Sequence, residues 1–82
     1  MKLTVKLFAS LTSYLPAQAE NQTMTMEAED GFSVGQVLEQ CGVPLDQCRL
    51  VMINGITHTN PAVSMELQLC EGDTLAVLPK VH

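Results

Sequence analysis

Polar and apolar residues alternate from the start of the chain. In Lys2-Leu3-Thr4-Val5-Lys6-Leu7-Phe8, Leu3, Val5 and Leu7 share one face, the two-residue period of a half-buried strand. Between Ala9 and Gln22 the pattern dissolves into a connection with Leu11, Tyr14, Leu15 and Pro16, with room for one helical turn before the proline stops it. Alternation resumes at Thr23-Met24-Thr25-Met26-Glu27-Ala28, predicting a second strand, antiparallel to the first, with Met24, Met26 and Ala28 inward. Glu29-Asp30-Gly31 reads as a turn. Behind it Ser33 suits a helix N-cap, Gln36 sits where a capping box wants Glu or Gln, and Phe32 is placed to staple onto Val37. Val34, Val37, Leu38 and Cys41 form a single apolar stripe, and Gly42 with Pro44 ends the helix.

After a polar turn at Leu45 to Gln47, Leu50-Val51-Met52-Ile53 reads as a strand. Asn54-Gly55 is the preferred pair for a two-residue hairpin, and Ile56 opens the returning strand. His58 to Leu69 is less regular, although Met65, Leu67 and Leu69 alternate and suit a short strand or an extended crossing. Glu71-Gly72-Asp73 is a turn, and Thr74 to Leu78 is a buried final strand ended by Pro79. One helix laid across one mixed sheet of four to five strands satisfies every apolar face. Bringing both chain ends into the sheet centre makes the first and last strands parallel, joined by a long crossover. That α+β arrangement, a single domain over residues 1–82, is the β-grasp.

The chain has 82 residues, enough to remove roughly 60% of its unfolded surface from water, so one modest core is the ceiling. Aromatic residues contribute 4%, which leaves Leu, Val and Met to fill it and no large catalytic cavity. Four Lys/Arg against nine Asp/Glu give a net charge of -5, which repels phosphate backbones and anionic lipid. Nucleic acid and membrane are therefore not expected as partners; the charge reads as a solvated surface or as attraction to a basic docking face. With no signal-like start and no apolar span, the expected location is cytoplasmic. Cys41, Cys48 and Cys70 are odd in number and without a close pair, as suits reduced thiols.

Side-chain chemistry finds little support. Cys41 and Cys48 lack the pair spacing of zinc sites, three scattered cysteines fall short of an iron–sulfur set, and no metal ligand set is expected. A cysteine nucleophile with His58 as base has no oriented third group, so no catalytic residue is expected and the protein reads as a non-enzyme. Asp46, Glu66, Glu71 and Asp73 fall in turns or on solvated faces, and Gly31, Gly55 and Gly72 are turn glycines, not a phosphate loop. Met24, Met26, Met52 and Met65 read as core filler, any exposed one being suited to an adaptable docking patch.

Four segments together resemble the MoaD/ThiS family of ubiquitin-like sulfur carriers: Lys-Leu-Thr-Val-Lys-Leu-Phe-Ala at the start, Ser-Val-Gly-Gln-Val-Leu in the helix, Val-Met-Ile-Asn-Gly, and Leu-Cys-Glu-Gly-Asp-Thr-Leu-Ala-Val-Leu-Pro-Lys-Val. The likeness covers nearly the whole chain. It implies sulfur transfer for molybdopterin, thiamine or a related cofactor, with the C-terminal tail presented to a ubiquitin-activating-type adenylyltransferase or a synthase large subunit. It also implies no bound cofactor, ATP entering only through the partner. The implied docking surface is the outer face of the last strands plus the tail: Leu78, Pro79, Lys80, Val81 and His82. That family ends in Gly-Gly, and the resemblance sets His82 just before the pair, which the sequence lacks. Glycines there thread a narrow channel, so adenylation of the sequence as it stands is expected to be poor. The alternative is a divergent, non-conjugating interaction subunit of a cofactor-handling enzyme.

Overall fold

The computed structural model describes residues 1–17 and 19–79. Five strands, β1 (Lys2–Leu7), β2 (Thr23–Glu27), β3 (Cys48–Ile53), β4 (Ile56–His58) and β5 (Thr74–Pro79), form one sheet in the order β2-β1-β5-β3-β4. β1 and β5 are parallel neighbours at its centre, with Val5 beside Leu75 and Leu7 beside Val77; the other pairings are antiparallel. The helix α1 (Val34–Gln40) packs on one face, and a four-residue α2 (Pro61–Ser64) follows β4. The expected β-grasp topology is present in full.

Alternation explains which side of each strand is buried. Leu3, Val5 and Leu7 of β1, Val51 of β3, and Leu75 and Val77 of β5 join Val34, Val37 and Leu38 of α1 in one core. Met24 and Met26 pack against it and Ala28 is buried, as the sequence predicts. Leu11 enters the same core from a 3₁₀ helix at Ala9–Tyr14, the helical turn expected before Pro16.

Every free donor at the start of α1 finds an acceptor, which matters because an unpaired buried N–H costs about 1–3 kcal/mol. Ser33 Oγ accepts from the Gln36 N–H (3.3 Å) and Gln36 Oε1 from the Ser33 N–H (2.8 Å), the capping box read from the sequence. The Val34 N–H donates to the Leu67 carbonyl and the Gly35 N–H to that of Met65, both at 2.9 Å. These last two bonds explain residues 65–69: the segment is an extended crossing held on the helix start, and only Gln68 makes a β-bridge, to Ser33. At the other end Gly42, at φ +80°, lets its own N–H reach Glu39 and the Val43 N–H reach Leu38, a Schellman termination with Val43 and Leu38 both buried.

Asn54 and Gly55 take φ 51° and 85°, the left-handed pair of a type I′ hairpin turn joining Ile53 to Ile56. Asn54 Nδ2 also donates to Asp73 Oδ1 and its Oδ1 accepts from the Thr74 N–H, each at 2.9 Å. Asp73 Oδ2 accepts from the Cys70 N–H at 2.8 Å. The hairpin tip and the turn before β5 are thus fastened together at the end of the sheet where β5 begins, opposite the tail.

Candidate functional site

Since α1 covers one face of the sheet, the other face is where the strands meet solvent. Strict alternation from the inward Leu75 and Val77 places Thr74, Ala76 and Leu78 on that open face. Register then brings Met52 beside Ala76 and Leu50 beside Leu78. Phe8, one residue beyond the inward Leu7, follows to the same side, its N–H donating to the Val77 carbonyl at 3.2 Å.

A bulge makes this arrangement possible. Cys48 and Val51 are both buried although three residues apart, which a two-residue period forbids. Between Cys48 and Leu50 the register slips by one residue against β5, so Arg49 is extra and the phase resets. The slip returns Val51 to the core and turns Leu50 outward next to Leu78. Arg49 itself is exposed.

The result is a second apolar group separate from the core. Phe8, Leu50, Met52 and Leu78 are half-buried, yet none belongs to the core cluster or packs against it, and Ala76, only 8% exposed, lies outside it as well. Met24, Met26 and Met65 are core-packing as expected, whereas Met52 departs from the core-filler reading. Its neighbours across the strands are Ala76 and Thr57, which places it on the open face. Phe8 and Leu50 were not among the expected site residues, and Met52 was expected in a docking patch only if exposed. The bulge hid Leu50, because no residue near Arg49 signals a phase slip.

Of the expected site residues, Leu78 and Pro79 are half-buried in the last two positions of β5; Lys80, Val81 and His82 lie outside the described residues. Pro79 pairs with Cys48. By alternation from the Val77 carbonyl, its missing N–H faces the β1 side, where β1 has already ended at Leu7. No ladder bond is lost there. The last described residue of β5, Pro79, therefore lies next to the patch of Phe8, Leu50 and Leu78.

The thiols stand apart. Burial pushes Cys41 up to about 11, and its Sγ lies 3.4 Å from Met26 Sδ. Burial, with the Asp46 carboxylate adding to it, also raises Cys48, while Cys70 is exposed. Neither raised thiol is a ready thiolate near neutral pH. Among the described residues no three His, Cys, Asp or Glu side chains gather as a metal site, and no helix is long and apolar enough to cross a membrane. An open cleft beside the patch is lined by Lys6, Pro16, Glu20, Asn21 and Thr25 among others.

Comparison with known proteins agrees with this architecture. The sequence matches the family described as Mut7-C ubiquitin over residues 1–82. No curated protein matches it. Among solved structures, SAMP1 from Haloferax volcanii superposes with TM-score 0.65 at 22% identity, covering 99% of this chain and 97% of that one. A putative molybdopterin converting factor, subunit 1, from Pyrococcus furiosus gives 0.67 at 20% identity, covering 98% of each. A further structure of the small archaeal modifier protein 1 of H. volcanii gives 0.68 at 22%, again over 98% of each. At these identities the likeness is one of fold, and the fold is the ubiquitin-like β-grasp.

Proposed function

The chain belongs to the Mut7-C ubiquitin family, and on that footing we propose that it is a small carrier or modifier of the sulfur-carrier kind, a protein substrate rather than an enzyme. It docks on a ubiquitin-activating-type adenylyltransferase or a synthase subunit through its open sheet face and offers the segment beyond Pro79 to the partner's active site. The observation that carries this reading is the apolar group of Phe8, Leu50, Met52 and Leu78, which serves no core and borders the exit of the last strand. A half-buried apolar group on an open sheet face, outside the core, is the kind of surface that suits an interaction site. The fold likeness to proteins titled molybdopterin converting factor subunit 1 and small archaeal modifier protein supports the same reading.

The chemistry would then lie on the backbone terminus. A terminal carboxylate attacks the α-phosphorus of ATP held by the partner, pyrophosphate leaves, and a sulfide equivalent from the partner displaces AMP to give a thiocarboxylate. This chain's part is to bind and to aim, so it needs no cofactor of its own, and a cytoplasmic setting suits its reduced thiols. Mass spectrometry of the protein isolated from its native cell tests the proposal: a mature terminus carrying sulfur in place of one carboxyl oxygen is expected. A terminus that neither carries sulfur nor forms an acyl adenylate with the adenylyltransferases of the same genome would refute it.

A second reading, the non-conjugating interaction subunit, draws on one specific observation. The patch lies on the folded body, upstream of the tail, so its contact area does not require the terminal residues. Deleting residues 80–82 separates the two: the subunit reading expects partner binding and partner activity to survive, and the carrier reading expects binding to persist while transfer is lost.

A further inference from the structure

Charge is shared unevenly between the open face and the rest of the molecule. Nine Asp/Glu outnumber four Lys/Arg along the chain, yet the cross-strand row that runs through the patch reads Thr23, Lys6, Ala76, Met52, Thr57. The row nearer the tail holds Leu78 and Leu50, with the exposed Arg49 inserted by the bulge. Neither row contains a carboxylate. Among the described strand residues the acid that alternation sets on the open face is Glu27, across from Lys2 at the far end of β1; Glu20, outside the strands, lines the cleft that Lys6 also lines.

Among the described residues neither Lys6 nor Arg49 has an ion-pair partner within 4 Å. Glu20 lines the same cleft as Lys6 but makes no ion pair with it within 4 Å. Asp46, three residues before Arg49, is near enough to the inward Cys48 thiol to raise it but makes no pair with the arginine. Two cations flanking an apolar patch, on a chain otherwise dominated by acids, therefore retain their full pairing capacity.

Resting on the docking reading above, we infer that the partner is a folded protein whose docking face is an apolar centre rimmed by carboxylates placed to meet Lys6 and Arg49. A basic rim would bring like charges together at close range, which costs affinity and rejects such partners. Phosphate-rich partners fit less well, because a polyanion or anionic bilayer spans beyond the patch and meets the surrounding acids. Rim charges act chiefly on encounter, so their signature is in the association rate and its salt dependence.

The test uses the full chain and, as probe, the purified adenylyltransferase encoded in the same genome, with association followed at low and physiological salt. Three proteins are compared, wild type, Met52→Asp and the double variant Lys6→Glu/Arg49→Glu, each checked for folding by circular dichroism and urea unfolding. The double variant is expected to lose about tenfold in association rate at low salt and to flatten the salt dependence, and Met52→Asp to abolish binding. Binding that is lost in Met52→Asp but unchanged or stronger in the double variant overturns the acid rim and leaves the docking reading standing. Failure of the wild type to bind overturns the carrier reading and the rim with it. Salt-sensitive binding of the wild type to phosphatidylserine vesicles, abolished in the double variant, also overturns it, by assigning the cations to a membrane.

Discussion

Leu75 and Leu78 lie on one strand, three residues apart, and truncating each to alanine separates core from docking surface. Leu75 is fully buried in the core cluster, beside Val5 on β1 and Ile53 on β3. Removing a leucine side chain from such a site costs its transfer free energy plus the cavity left behind, about 2–5 kcal/mol. For a domain of this size each kcal/mol lowers the melting temperature by roughly 4–8 °C, so Leu75→Ala should lose at least about 8 °C. Leu78 keeps one side in solvent and touches no core residue, so the same truncation forfeits only part of a buried leucine's burial energy, roughly 1 kcal/mol. The pair is to be measured by urea and thermal unfolding under identical conditions, with partner binding as a second readout. Leu78→Ala should weaken binding while remaining folded. Comparable stability losses for the two variants would show that Leu78 is a core residue and would remove the central support for the open face as a docking surface.

Three further outcomes follow from the geometry. Gly35→Ala gains helix propensity of roughly 0.5–1 kcal/mol, but its Cβ would stand 3.2 Å from the Met65 carbonyl oxygen that accepts the Gly35 N–H; a net loss of about 1 kcal/mol in urea unfolding is expected, and a stabilised variant would contradict the close approach. Asn54→Gly keeps the left-handed turn but forfeits the bonds to Asp73 and Thr74, whereas Asn54→Ala loses both bonds and adds backbone strain of about 1 kcal/mol or more. Stability should therefore fall in the order wild type, Gly, Ala, and an alanine variant as stable as the glycine one would exclude the strain. For the thiols, iodoacetamide at pH 8 should label Cys70 first, read by peptide mass spectrometry. Because the folded Cys41 thiol is raised to about 11 from an ordinary 9.0, the stability it contributes is complete below pH 9 and lost as pH climbs toward 11. Cys41→Ala should flatten that alkaline decline.

Local chemistry carried most of the fold into view. Ser33 with Gln36, Gly42, and Asn54-Gly55 each specify their own backbone geometry within four residues, and each does so in the structure. The alternation of β1 and β5 named the buried faces, and the parallel pairing followed from closing one sheet around both. What stayed hidden depends on contacts distant in sequence. The crossing at 65–69 takes its extended form from donors on the first turn of α1, about thirty residues earlier in the chain. The short α2 follows Asn60, whose Oδ1 accepts from the Ala62 N–H, and is too brief a segment for apolar periodicity to register.

The same distinction governs the site. Leu78 and Pro79 were expected at the site because they border the tail, where the family resemblance implies the chemistry. The outward placing of Leu50 and Met52 was not readable, since a hydrophobic run such as Leu50-Val51-Met52-Ile53 fits a strand buried on both faces as well as one with an open side. Deciding between them needs the partner strand and the one-residue slip at Arg49. That slip has a cost, one unpaired residue in the ladder, and a return, because without it Leu50 and Met52 would point into the core and Val51 would point out. With it, a strand in the middle of the sheet serves two surfaces at once: Cys48, Val51 and Ile53 hold the body together, while Leu50 and Met52 turn to the open face and Arg49 is exposed. Ile56 and Val63, 65% and 56% exposed, belong to neither group: Ile56 opens β4, the edge strand of the sheet, and Val63 lies in α2, which follows it. Exposure alone would have selected those two; the half-buried patch beside the last strand is the one whose position supports the docking proposed for it.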